Sequence, residues 1–98
     1  YNLYVAMINK KLERIRKKLD NLDNHFLLLI KKRTSLVNQV LSTKKFKNQI
    51  VDKKRIKKIL TNIKTKSKKR NIDVKITNAI WKAMIRAYIK YEFRNFKK

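Results

Sequence analysis

The chain has 98 residues, a net charge of +23 and no Gly, Pro or Cys. Its length suits one small domain; without Pro nothing breaks a helix, and without Gly tight turns lack their usual residue, so an all-α fold follows. The absence of Cys excludes disulfides and thiolate metal sites, and the apolar run from Phe26 to Ile30 is far too short to span a membrane.

No signal peptide is visible, which with the lack of Cys fits a cytoplasmic home. The chain begins at Tyr1 rather than Met, as a chain lacking its native N-terminus would. The charge admits two readings: an anionic partner such as nucleic acid, or a composition biased towards Lys, Asn and Ile. Lysine pairs such as Lys10-Lys11, Lys31-Lys32 and Lys57-Lys58 are spread along the whole chain and fall mostly on the polar sides of the helices. That favours a solvated face. The lysines do not concentrate on one amphipathic segment, which argues against a membrane-surface helix.

The first predicted helix runs from about residue 4 to 45. Apolar residues recur at Leu12, Ile15, Leu19, Leu22, Phe26 and Leu29, then at Leu36 and Val40, in helical 3/4 spacing. Such a helix spans roughly 60 Å, whereas a compact domain of this size is roughly 25–35 Å across. It needs a partner along its length, either the other helices folded back or a second chain. A short loop near 45–51 follows. The second helix, about 52–69, opens on Asp52 as N-cap or first-turn acid and carries Ile56, Ile59, Leu60 and Ile63. A loop at 70–72 leads to Asp73 as the next N-cap. The third helix, about 73–96, carries Ile76, Ile80, Trp81, Met84, Ile85, Tyr88, Ile89 and Tyr91. This core is thin for so charged a chain, and self-association is expected. Met7 and Met84 read as packing residues, and the lone His25 as a helix-face residue.

The most informative residues are charges on these apolar faces. Arg33 takes the skipped place in the first seam, and a guanidinium buried there is costly unless an anion meets it. Arg33 and Lys44, read on one helix, differ by about 20° in direction and roughly 16 Å in height, so both can reach one small ligand. Asp52 and Arg55 extend the apolar face of the second helix backwards by a turn. Glu92 continues the stripe of Trp81, Ile85 and Tyr88. The chain uses lysine for most of its basic residues, so an inward arginine points to the two-point fork that binds carboxylates. The plain alternatives are an internal ion pair of Arg33 with Asp20, Asp23 or Glu92, and a solvated, frayed helix end for Glu92. Arg16 lies roughly 25 Å before Arg33 on the same helix, too far for one small ligand in one chain. A second protomer packed antiparallel would bring its own Arg16 over.

These residues resemble the all-helical AroQ class of chorismate mutases, over about residues 12–96. The first-helix pattern reads Ile15-Arg16-x-x-Leu19-Asp20-x-Leu22-Asp23, then Arg33 and Lys44. The second reads Asp52-x-x-Arg55, and the third Ile80-Trp81-x-x-Met84-Ile85-x-x-Tyr88-x-x-x-Glu92. The resemblance implies an intertwined homodimer of three-helix protomers acting in aromatic amino-acid (Phe/Tyr) biosynthesis. It implies that Arg33 and the partner's Arg16 hold the carboxylates of chorismate. Lys44 and Glu92 would face the ether oxygen whose C–O bond breaks, with Asp52 and Arg55 completing the wall.

Conversion of chorismate to prephenate is pericyclic and needs no nucleophile, metal or cofactor, and the sequence offers none. It needs a compressed conformer and stabilisation of negative charge growing on the ether oxygen. Glu92 can donate there only when protonated, a form that burial favours, so activity is expected to fall as pH rises. Two residues depart from the usual pattern. Ile56 stands where many mutases have Glu, and Tyr88 where Ser is frequent. Both resemble isochorismate-pyruvate lyase, a relative on the same fold, while Asp52 argues for the mutase. A basic helical nucleic-acid-binding dimer is the reading from another class. Trp81 and Tyr88 lie on the apolar stripe rather than among exposed lysines, which argues against it.

Overall fold

The computed structural model describes residues 2–97, and these contain helices and no strand. Helix α1 is Leu3–Ser42, α2 is Lys53–Lys69 and α3 is Val74–Asn95, with a 3-10 turn at Lys47–Gln49 between α1 and α2. The chain falls into two units that divide between Leu36 and Val37.

The first unit is the α1 segment up to Leu36. None of its described residues is buried. The apolar seam from Leu12 to Leu36 is open to solvent, with Leu22 54% and Phe26 58% exposed. Met7, expected to pack, is also exposed.

The second unit holds the end of α1, the turn and the α2–α3 hairpin. Helix α1 stops at Ser42, three positions before the expected 45. The side chains of its last residues explain this. The Ser42 hydroxyl donates to Gln39 O and the Thr43 hydroxyl to Val40 O. The backbone follows with tighter bonds, Thr43 N to Val40 O and Lys44 N to Leu41 O. Hydroxyl bonds of this kind offer the backbone an alternative to the helical ladder.

Helix α2 starts where Asp52 Oδ1 accepts from Arg55 N at 3.0 Å, an N-cap bond. It ends in a reversal that normally uses Gly. Asn71 takes that place with φ 55°. Asn tolerates this left-handed conformation better than other residues with a Cβ. Ile72 N reaches back to Ser67 O at 2.9 Å and Asn71 N to Lys68 O at 3.2 Å, the paired bonds of a Schellman ending. Asp73 then caps α3 by accepting from Lys75 N at 2.8 Å.

The hairpin packs α2 on α3. Ile56, Ile59, Leu60 and Ile63 from α2, and Trp81, Met84, Ile85, Tyr88 and Ile89 from α3, are half-buried. A buried hydroxyl pair, Ser67 Oγ and Thr77 Oγ1 at 2.8 Å, ties the helices near the loop. The Ser67 hydroxyl donates to Ile63 O at 2.6 Å, which leaves the Thr77 proton to bond Ser67 Oγ, with Val74 O a longer alternative at 3.3 Å. Among the described residues only Leu41 and Ile50 are buried apolar side chains.

Candidate active site

Lys44 was expected on the face of the first helix and lies instead in the turn beyond its end. The α-helical repeat that relates Arg33 to Lys44 in the sequence therefore does not extend to Lys44, because it stops at Ser42. The turn nonetheless sends the Lys44 side chain inward. Its Nζ lies 3.2 Å from Glu92 Oε1 and donates to Ile50 O at 3.5 Å. Glu92 sits 48 positions away, and α3 continues past it to Asn95, so it is not a frayed end.

This pair is buried: the Lys44 and Glu92 side chains are 15% and 10% exposed. The chain has six acids against 29 lysines and arginines. Glu92 is the buried one. Removing one partner of a buried ion pair leaves an uncompensated charge and costs about 3–5 kcal/mol. An ammonium has three donors. With one on Glu92 and one on a long bond to Ile50 O, Lys44 keeps a third for a ligand.

Neighbouring groups shape the surroundings. Tyr88, one turn before Glu92, is half-buried, and its ring meets that of Tyr91 edge-on at 6.3 Å and 83°. The Tyr91 hydroxyl donates to Asn38 Oδ1 at 2.8 Å, and Asn95 Nδ2 donates to Tyr91 O at 2.8 Å. Two open clefts meet at Lys44. One, of about 660 Å³, is lined by Thr43, Lys44, Asn48, Gln49, Val51, Asp52 and Lys53. The other, of about 410 Å³, runs beside Asn38, Leu41, Tyr91 and Phe96.

Lys44, Glu92 and Asp52 are thus gathered in the second unit. Asp52 is exposed and already engaged as the α2 cap; Arg55, whose N–H it holds, is exposed, and Ile56 is half-buried. On α1, Arg33 is half-buried and Arg16 exposed. Their separation along the helix is roughly 25 Å, so one chain does not bring them together. Two participants were not foreseen. Ile50, 3% exposed, supplies the carbonyl to Lys44, and Gln49 closes the turn. A loop without Gly or Pro must satisfy its own N–H groups, and a Gln within it is the signal that was available. Among the described residues, no three His, Cys, Asp or Glu side chains cluster as metal ligands, and no helix is long and apolar enough to cross a membrane.

A family model described as chorismate mutase type II matches residues 15–93. The chain belongs to the type II chorismate mutase family. No curated protein and no solved structure matches it. The matched stretch contains every candidate residue from Arg16 to Glu92. Type II chorismate mutases are the AroQ class, and their all-α architecture is the one observed here. For such an enzyme, buried donors count because charge growing on a substrate oxygen is stabilised most where water is excluded.

Proposed function

We propose that this protein is a chorismate mutase that rearranges chorismate to prephenate, in the supply of phenylalanine and tyrosine. The buried Lys44–Glu92 pair carries the reading. A cation held out of water, with a donor to spare, is what an ether oxygen gaining negative charge requires. Arg33 binds one substrate carboxylate, and Arg16 of a second protomer binds the other. Asp52 and Arg55 form the wall at the start of α2. Binding holds the substrate in its compressed conformer, and Lys44 stabilises the charge as the C–O bond opens and the new C–C bond closes. The homodimer is part of this proposal, since the α1 distance leaves Arg16 no role at its own chain's Arg33.

The second reading is isochorismate-pyruvate lyase. It draws on Ile56 and Tyr88, which leave an apolar side chain and a bulky phenol where mutases of this class more often have Glu and Ser. Ile56 has no polar atom to meet a substrate hydroxyl. Incubation with each substrate separately decides between the two. Prephenate from chorismate supports the mutase; salicylate and pyruvate from isochorismate, with chorismate unchanged, overturns it. Turnover of neither would remove both readings.

A further inference from the structure

We infer that Gln49 is a positioning residue for Lys44, acting through the turn that joins α1 to α2. The inference rests on the role of Lys44 proposed above and adds a residue to it.

The side-chain oxygen of Gln49 accepts two backbone hydrogen bonds, from Lys45 N at 2.7 Å and from Phe46 N at 2.9 Å. Two N–H donors on one atom require that atom to be an acceptor, so it is the amide oxygen. The same turn is closed by Gln49 N to Phe46 O and Ile50 N to Lys47 O, both 3.1 Å. Its ends are the two points that aim the ammonium. Lys44 N is tied to Leu41 O at 3.1 Å, and Ile50 O receives Lys44 Nζ at 3.5 Å. Ile50 is anchored by burial, at 3% exposed. Between those ends the turn has no Gly or Pro to fix its path, and the Gln49 oxygen gathers the N–H groups directly after Lys44.

Without that oxygen the two N–H groups turn to water and the path from Lys44 to Ile50 loosens. The Gln49 bonds are solvent-exposed and confined to the turn, so the helices remain paired when they are lost. The cost falls on where the ammonium points. A misplacement of about 1 Å in a catalytic group lowers rate by up to roughly a hundredfold.

The test is a double-mutant cycle on the full chain, with chorismate as substrate and a thermal melt for each variant. Gln49→Met keeps the size and removes the acceptor. It is expected to lower kcat by about tenfold to a hundredfold while KM moves by less than about threefold. Gln49→Glu keeps an acceptor oxygen and is expected to retain at least about half of kcat. In a Lys44→Ala background, Gln49→Met is expected to cost nothing further. Equal losses from Gln49→Met in both backgrounds, failure of Gln49→Glu to restore activity, or an unchanged kcat in Gln49→Met would each overturn the inference. Full activity of Lys44→Ala itself would instead overturn the role of Lys44, and that of Gln49 with it.

Discussion

Glu92 shows how much a single residue carries here. An acid is rare in this chain, and one withdrawn from water at 8% exposure has a specific reason to be there. As a carboxylate it accepts from Lys44 and aims it; as an acid it can itself donate to the substrate oxygen. An amide does both at once, with its oxygen towards Lys44 and its NH₂ towards the substrate. Glu92→Gln keeps an acceptor for Lys44 and always presents a donor, so it is expected to hold or raise kcat. Glu92→Ala leaves Lys44 buried without its partner and is expected to lose both kcat and about 3–5 kcal/mol of stability. Steady-state kinetics and denaturant titrations of the two variants check this; a stable, fully active Glu92→Ala would overturn the aiming role. Asp52 separates in a similar way. Asp52→Asn keeps the N-cap bond and should melt with the parent, whereas Asp52→Ala should lose about 1 kcal/mol. A fall in kcat/KM in Asp52→Asn at unchanged stability would be the mark of contact with substrate. Glu92 could be read from the sequence because it interrupts a helical stripe. Lys44 was legible as a residue but not in its place, and Gln49 showed only as a Gln inside a loop without Gly or Pro, with nothing to mark which groups it holds. Their positions depend on a turn whose path is set by hydrogen bonds rather than by apolar spacing.

At the scale of elements, the caps were legible and the stops were less so. Asp52 and Asp73 are short acids ahead of apolar periodicity, and both accept the N-cap bonds. The end of α1 reads too late in the sequence because Leu36, Val40 and Lys44 continue a helical spacing past the point where Ser42 and Thr43 turn their hydroxyls to the backbone. The reversal after α2 reads as a loop, but its left-handed residue has no Gly to announce it and uses Asn71. Helix α2 itself is held by its packing on α3, not by its surface. Its sequence from Lys53 to Lys69 contains no acid, so like charges face one another at i, i+3 and i, i+4, as at Lys54, Lys57 and Lys58. Thr61 is exposed in the middle of this face. Thr61→Glu would stand one turn from Lys57, Lys58 and Lys64 and replace a β-branched residue. It should stabilise the protein by about 0.5–1 kcal/mol at low salt. The gain should shrink as salt screens the pairs. Denaturant titrations at two ionic strengths measure both parts.

At the scale of the whole molecule, the open seam of α1 and the distant Arg16 call for one explanation. A helix segment of this length with no buried residue and a row of leucines in water is not a finished surface. In the proposed homodimer, two copies of α1 packed antiparallel would cover both seams, and a two-fold axis near residues 24 and 25 would set Arg16 of each copy opposite Arg33 of the other. Each of the two proposed sites would then draw Arg16 from one chain and Lys44 from its partner, which predicts complementation between inactive variants. Arg16→Ala and Lys44→Ala should each be nearly inactive alone. Unfolded together in equal amounts and refolded, half of the dimers contain one chain of each kind. In those, one site has lost both residues and the other has lost neither. The mixture should therefore regain about one quarter of the parent activity, a value set by two-fold symmetry alone. No recovery, with native mass spectrometry showing that mixed dimers had formed, would mean that Arg16 serves its own chain. Leu22→Lys supplies the control: placing like charges close to the axis should shift the protein towards monomer and abolish the recovery, because a monomer has no second Arg16 to borrow.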